Sequence, residues 1–398
     1  MWRRKSTTLC CCEAVLQRLR VAFLTKNFDT KGGGAERYAV ALAEQLSERH
    51  DVHVFAQAIG TVLPNVQYHP VRWVLRRPRW INQLLFAYAT WYATRKGYDV
   101  VHSHENLWHG QVQTLHVLPM RYTLLRGKSG LKLLWKLLGI VSSPRLLAHL
   151  GLERSRFQGD GRAYVAVSET LRTLVAQTYQ GTDRSMRVIP PGIAGVPGPA
   201  SVQQRMAARA ALGLPEHGRC LLLVGNDLRK KGLACVIQAL ALLSEPSAFV
   251  AVVGHIGHRA AWEAMAREMG VEPQLHFLGM REDVGVAYVA ADILVHPTLE
   301  DTYAMVVLEA MSHALPVIVS QSAYCGISAE LTHGVNALLL QDPQDARALA
   351  EAVTCLQVTP ELARRLGNNG LEFATQRTWG RVAHLHECLY AELQGISA

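Results

Sequence analysis

At 398 residues the chain is too long for one ordinary core and suggests two domains of roughly 150 to 200 residues each. Apolar residues make up 49% of it and charged residues 18%, a globular composition that excludes a disordered chain. Charge is uneven: residues 1–190 carry 27 Lys and Arg against 12 Asp and Glu and the remainder 14 against 20, within a net charge of +9.

The chain opens MWRRKSTTLCCCEAVLQRLR, a basic start whose apolar part is short and broken by Glu13, so residues 1–19 are expected to be a disordered leader. Of the eight cysteines, Cys10, Cys11 and Cys12 are consecutive, a weak signal for acylation, and no C-x-x-C occurs; a reducing cytosol fits best. No stretch reaches the roughly 18 uncharged apolar residues of a membrane span.

RVAFLT (Arg20–Thr25) reads as a buried strand, followed by a glycine-rich turn and a helix beginning GGAERYAVALAEQ. DVHVFAQ (Asp51–Gln57), YDVVHSH (Tyr98–His104), YVAVSE (Tyr164–Glu169) and RVIPPG (Arg187–Gly192) complete a first set of strands. Between Val52 and Leu152 only Asp99 and Glu105 are acidic, against twelve basic residues, and RWVLRRPRWINQLLFAYATWYATRK and RYTLLRGKSGLKLLWKLLG mix cations with aromatics. Such segments suit an anionic membrane surface or a lipid-linked substrate. A solvated basic face on ordinary helices has the same composition. Nucleic acid is disfavoured, since no RNP, helix-turn-helix or zinc-finger pattern supports it.

IPPGIAGVPGPAS (Ile189–Ser201), with its four prolines and three glycines, reads as a linker. The strand–helix alternation then restarts with CLLLVGN, AFVAVVG, LHFLG, DILVHP, PVIVS and ALLLQ. The expected division is therefore a Rossmann-like domain over 20–190, a linker over 191–201, a second such domain over 202–375 and a terminal helix over 376–398. Ligands of doubly wound sheets bind beyond the carboxyl ends of the strands, so the site is expected in the cleft between the two domains.

LEDTYAMVVLEAM (Leu299–Met311) has carboxylates at both ends of an apolar run. The bland reading is a helix cap and a surface residue. The sharper one places Asp301 beyond a strand end, the amides of Ala304 and Met305 in a helix's first turn facing an anion, and Glu309 on a ribose diol. VGNDLRKKGL sets Lys230 and Lys231 at the end of the second domain's first strand, beside that anion. In KGGGAERYA the contiguous glycines open the first helix of the first domain, which is neither G-x-G-x-x-G nor a P-loop. A tight turn explains them equally well.

In this order GGGAER, VSE, PPGI, VGNDLRKKGL, HFLG, AADILVHPTLEDTYAMVVLEAMSHALPVIVS and RTWGRVAHLHECLYAEL resemble the retaining nucleotide-sugar glycosyltransferases of GT-B fold, family 4, over Arg20 to Leu393. Within that family the chain is most similar to the bacterial lipopolysaccharide-core glucosyltransferases that act on inner-core heptose. The resemblance implies two Rossmann-like domains facing across a cleft, with the C-terminal helix crossing back to the first domain and Trp379 packing it. The family's E-x7-E signature falls on Asp301 and Glu309, so its first Glu is Asp here. Asp301 would contact donor-sugar hydroxyls and Glu309 the ribose. Lys230 and Lys231 match the family's basic pair, and Asn226 stands where Arg is commoner. Gly33 and Gly34 would close over the diphosphate, and His116 in TLHVLP matches a histidine near the donor sugar.

The implied reaction moves a hexose from a nucleotide sugar, UDP favoured, to an anionic lipid-linked glycan such as lipopolysaccharide core, at the inner face of the cytoplasmic membrane and with retention. No D-x-D occurs in the sequence, so no metal cofactor is expected and fixed cations would stabilise the leaving diphosphate. HSHE (His102–Glu105) as metal ligands is a weaker reading, because it ends a buried strand and lacks a partner set. Two rivals stay open: a nucleotide-sugar 2-epimerase of the same plan, and a non-catalytic sugar-binding protein. An NAD-dependent oxidoreductase is disfavoured by the missing G-x-G-x-x-G.

Overall fold

The computed structural model describes residues 17–395 except Trp73, Arg76, Gly159, Asp160 and Pro246. The cysteine triplet and most of the expected leader lie outside the described residues. The chain divides into two compact units. Unit 1 comprises Met1–Ala166, Leu174–Ile189 and Trp379–Ala398; unit 2 comprises Val167–Thr173 and Pro190–Thr378.

Unit 1 is built on strands β1 (Arg20–Leu24), β3 (Asp51–Ala56), β5 (Val66–Pro70), β6 (Val100–Ser103), β7 (Val112–Leu115), β8 (Ala163–Ala166) and β9 (Met186–Val188), with a two-stranded pair, β2 (Asn27–Phe28) and β4 (Ala58–Ile59), beside it. The main sheet is parallel, in the order β5-β3-β1-β6-β7-β8-β9. Val21, Ala22, Phe23 and Leu24 are fully buried, as the unbroken apolar run of a parallel strand covered on both faces requires. Strand order reverses between β1 and β6, which makes the crevice beyond their carboxyl ends the natural ligand position.

β5 and β7 are absent from the sequence reading, for two reasons. β5 is a half-buried edge strand ending in a proline. β7, VQTL, buries two polar side chains whose partners lie 43 and 12 positions away. Gln113 accepts from Arg156 Nε at 2.9 Å, and Thr114 Oγ1 is 2.6 Å from His102 Nε2.

The helix Trp379–Leu393 belongs to unit 1 and packs on the helix Gly34–Ser47. Trp379 lies edge-on to Tyr38 with ring centroids 5.2 Å apart. The buried Tyr38 hydroxyl donates to the Ile189 carbonyl at 3.3 Å and accepts from His386 Nε2 at 2.9 Å. Tyr390 Oη is 2.6 Å from His102 Nδ1, and the fully buried Glu387 lies 3.1 Å from His50 and 2.9 Å from Arg49.

Unit 2 carries β10 (Cys220–Val224), β11 (Phe249–Val253), β12 (Leu275–Gly279), β13 (Ile293–His296), β14 (Val317–Ser320) and β15 (Leu338–Leu340), all parallel in the order β12-β11-β10-β13-β14-β15. Its switch point falls between β10 and β13. The expected linker is not free chain: Ile193 N donates to Arg377 O at 2.9 Å and Gly198 N to Ser312 O at 3.0 Å, which fastens it onto unit 2. Val167–Thr173, assigned from sequence to the first domain, also belongs to unit 2, where Thr170 Oγ1 donates to Ser322 O.

Burial keeps four histidines of unit 1 neutral: it holds His102 and His104 well below the ordinary range and pushes His116 and His386 down to about 3. Unfolded, each takes a proton near pH 6.5; folded, none does until far lower, so their contribution is complete above pH 6.5 and is lost as pH falls. Each costs up to about 1.4 kcal/mol per pH unit below that point. The thermal midpoint of the full chain is expected to fall steadily from pH 7 to pH 5. A midpoint unchanged over that interval contradicts this account of the core.

Candidate active site

Both loops that flank the unit 2 switch point carry charge. After β10 the chain runs through Gly225–Lys231 into the helix Leu233–Leu242; after β13 it runs through Pro297–Ala304 into the helix Met305–Ser312. Glycines bring the two loops together. At Gly232 φ is +80°, and a side chain there would collide with the Pro297 carbonyl. At Gly225 a Cβ would stand 2.5 Å from Cγ of Lys231, so its absence lets the lysine stem lie across the strand end. The Lys230 carbonyl accepts from Leu299 N at 2.8 Å and from Thr298 Oγ1 at 3.1 Å, stitching one loop to the other.

Side chains pair across this seam. Lys231 Nζ forms an ion pair with Asp301 Oδ2, both largely buried, and Lys230 Nζ lies 2.9 Å from Glu300 Oε1, both more exposed. The hydrogen bond to Glu300 raises the Lys230 ammonium above its ordinary range. Asp301 Oδ1 accepts from the amides of Ala304 at 2.9 Å and Tyr303 at 3.2 Å, and Oδ2 lies 3.3 Å from His296 Nε2. Burial opposes ionisation of Asp301, but the His296 hydrogen bond and the Lys231 charge outweigh it and hold the carboxyl well below the usual carboxylate range. Burial keeps His296 neutral.

This geometry corrects one expectation and reframes another. Ala304 is not in the helix's first turn: it precedes the helix with φ +71°, and its amide is already taken by Asp301. Met305 is the first helical residue. Asp301 was expected to contact donor-sugar hydroxyls; in this structure its four acceptor positions meet two amides, one lysine and one histidine. Glu309, half-buried on the same helix, accepts from Tyr288 Oη at 2.7 Å, and Tyr288 stacks on His313 with centroids 5.3 Å apart. Asn226 Oδ1 accepts from His255 N at 3.2 Å, holding together the turns after β10 and β11. Sequence reasoning missed Tyr288 and His296 as site residues. No local pattern marks Tyr288, 21 positions from its partner; the position of His296 at the end of DILVHP was the available signal.

In unit 1 the glycine run precedes the helix Gly34–Ser47, with Gly33 as its N-cap at φ −76°. The glycines serve space rather than a left-handed turn. A Cβ on Gly32 would stand 2.8 Å from Cβ of Glu36, and one on Gly33 would stand 3.0 Å from Glu36 Oε2. The Glu36 carboxylate thus lies at the positive end of this helix, where an anion would bind. His116 follows β7; its Nε2 is 3.0 Å from His104 Nδ1 and its ring is edge-on to Tyr38. Both nitrogens of His102, in the HSHE stretch, face side-chain hydroxyls. Among the described residues no group of three or more His, Cys, Asp or Glu is placed to hold a metal ion.

Residues 32–194 match the family described as Glycosyltransferase Family 4, and residues 204–373 the one described as Glycosyl transferases group 1. The chain belongs to these glycosyltransferases. Lipopolysaccharide glucosyltransferase WaaG of Escherichia coli K12 is 30% identical over 219 residues, 53% of this chain and 57% of that protein. D-inositol 3-phosphate glycosyltransferase of Corynebacterium efficiens is 27% identical over 319 residues, 75% of this chain and 73% of that one. The match to WaaG thus spans little more than half of that relative's length. The crystal structure of WaaG superposes with a TM-score of 0.78 at 23% identity, covering 93% of this chain and 99% of that one. Anabaena HepE in complex with UDP and glucose gives 0.72 at 19% identity, covering 94% and 99%. These likenesses establish the GT-B fold.

Lys231→Ala leaves a largely buried carboxylate without its cation and is expected to lower unfolding free energy by about 3 kcal/mol. Asp301→Asn in the same chain should restore part of that loss, measured by urea unfolding. Strictly additive effects would mean that the two side chains are not coupled.

Proposed function

We propose that the chain transfers a hexose from a nucleotide sugar, a UDP-sugar first among candidates, to an anionic lipid-linked glycan such as lipopolysaccharide core. It does so with retention of anomeric configuration and without a metal, working at the inner face of the cytoplasmic membrane. The observation that carries this reading is the convergence of the Lys230–Lys231 loop, the start of the helix Met305–Ser312 and Glu309 beside one switch point. Family membership sets the reaction class, and the names of the relatives point to the acceptor: one acts on lipopolysaccharide, the others on inositol phosphate.

The chemistry follows from charge. As the anomeric C–O bond breaks, its electron pair passes to the diphosphate. The ammonium groups of Lys230 and Lys231 meet that developing charge, and the Met305 amide at the helix start adds to it. Lys231 keeps two N–H donors beyond the one given to Asp301, so it can serve carboxylate and phosphate together. An acceptor hydroxyl attacks the same face of the sugar, and its proton leaves on the departing diphosphate. Glu309 receives the ribose diol, replacing or sharing the Tyr288 hydroxyl. Asp301 supports the loop that meets the sugar. His116, neutral at physiological pH, offers hydrogen bonding to a sugar hydroxyl rather than charge.

UDP-glucose is expected to raise the thermal midpoint equally with and without EDTA, because binding to the folded state alone stabilises it. Glu309→Ala should weaken that binding by about tenfold or more, and Lys230→Ala, at a more exposed position, should cost transfer more than folding. A midpoint that responds to the nucleotide only when a divalent cation is present refutes the metal-free site. An inverted anomer in the product, read by NMR, refutes retention.

A further inference from the structure

Two histidines stand just beyond neighbouring strands of unit 1: His104 follows β6 and His116 follows β7. The two strands pair in parallel, which brings the rings together. Their planes lie within 18° of each other, and His104 Nδ1 stands 3.0 Å from His116 Nε2. Two imidazole nitrogens this close share one proton, carried by one of them and facing the lone pair of the other. Which ring carries it decides what His116 presents to a ligand.

The surroundings of His104 bear on that choice. Its ring lies against Phe23, His102 and Tyr38. Its other nitrogen, Nε2, is buried and has no hydrogen-bond partner among the described residues. Burial keeps both rings of the pair neutral, so each carries a single proton. With the shared proton on His116 Nε2, His104 would carry its own on Nε2 and bury an N–H without an acceptor, the kind of orphan that folded chains avoid most. With the shared proton on His104 Nδ1, only a lone pair is left bare. His386 in the same cluster follows this second pattern. The Tyr38 hydroxyl gives its proton to the Ile189 carbonyl, so His386 Nε2 donates to it, and the buried, partnerless His386 Nδ1 is a lone pair.

We infer that His104 is a positioning residue: by donating from Nδ1 to His116 Nε2 it fixes the proton of His116 on Nδ1, so that His116 meets its ligand as an N–H donor. The inference rests on the reading of His116 as a neighbour of the donor sugar. A donor of this kind engages a hydroxyl through its oxygen and leaves the hydroxyl proton for a second partner. Fluorine, a weak acceptor with no proton, can take the place of that hydroxyl; hydrogen cannot. A bare nitrogen in the same place would do the opposite and reject fluorine. His104 thus sets which feature of the sugar His116 reads, without touching the sugar itself.

Two measurements test this, the first without any sugar. NMR of the full chain with isotopically labelled histidine nitrogens, the His116 signals being assigned from their loss in His116→Gln, should show Nδ1 protonated and Nε2 bare. His104→Asn can place its amide nitrogen where Nδ1 stood and should keep that pattern. His104→Leu supplies no donor and should lose it. A wild-type His116 protonated on Nε2 overturns the proposal. The second measurement reads binding alone, with UDP-glucose and its monodeoxy and monodeoxyfluoro counterparts at each glucose hydroxyl in turn. At one position the fluoro sugar should bind within about threefold of UDP-glucose, while the deoxy sugar loses about tenfold or more. His104→Asn should preserve that difference, and His104→Leu should erase it. Equal loss of the difference in both variants would make His104 a packing residue only and overturn its positioning role. Fluoro and deoxy sugars that bind alike at every position in the wild type overturn the donor role of His116. A wild type that shows the expected ring pattern but binds none of these sugars would remove the sugar reading and leave the fixed histidine pair standing.

Discussion

The Asp301 carboxylate ties together three pieces of chain: the lysine loop after β10, the end of β13 and the start of the helix Met305–Ser312. A carboxylate with so little exposure is tolerable only when its lone pairs are filled and its charge is matched. Lys231 matches the charge; two amides and His296 fill the remainder. The loops are therefore set before any ligand arrives, with a cation held beside the helix start. Without Asp301 the Lys231 ammonium would lose its counter-charge beside the positive end of a helix dipole, an unfavourable arrangement in the ligand-free protein. Pre-setting charged groups in this way is what makes electrostatic stabilisation of a leaving group effective, because no reorganisation is left to do when the bond breaks.

The two units solve burial differently. Unit 2 brings fixed charges to its strand ends and balances them. Unit 1 fills the region beneath its own strand ends with neutral imidazoles and phenols: His102, His104, His116 and His386 against Tyr38 and Tyr390. Burial strips these histidines of charge, so the group offers hydrogen bonds and flat apolar faces. The C-terminal helix supplies His386, Tyr390 and Trp379 to the same cluster, where they meet His102 and Tyr38.

What could be read from the sequence follows the range of the forces involved. Apolar runs such as CLLLV and FVAVV, bounded by glycine turns, read as strands because a parallel sheet buried on both faces demands little else. The glycine positions and the KK and ED dipeptides were legible as a site, since strand ends at a switch point bind ligands and charge is expensive there. The pairing itself was not legible. Lys230 to Glu300 and Lys231 to Asp301 each span 70 residues, and nothing local says which lysine meets which acid. The same holds for β7, whose buried Gln113 and Thr114 look like a polar loop until Arg156 and His102 arrive. Ala304 was misplaced because an alanine at φ +71° contradicts its own preference; the two hydrogen bonds that Asp301 accepts from the amides just ahead of the helix help to hold it there.

The departure of Asp301 from the family's acidic signature then has a physical reading. An aspartate can fold its carboxylate onto amides two and three residues ahead, which is the geometry of a helix cap, while its second oxygen stays free for a lysine and a histidine. Glutamate carries one more methylene and reaches outward more easily than back. The shorter side chain therefore trades reach toward a sugar for rigidity of the loop that bears it. If the chain takes the nucleotide hexose proposed above, choice among donors would fall less on Asp301 itself than on the backbone it holds, from Tyr303 to Ala304, and on its partner Lys231.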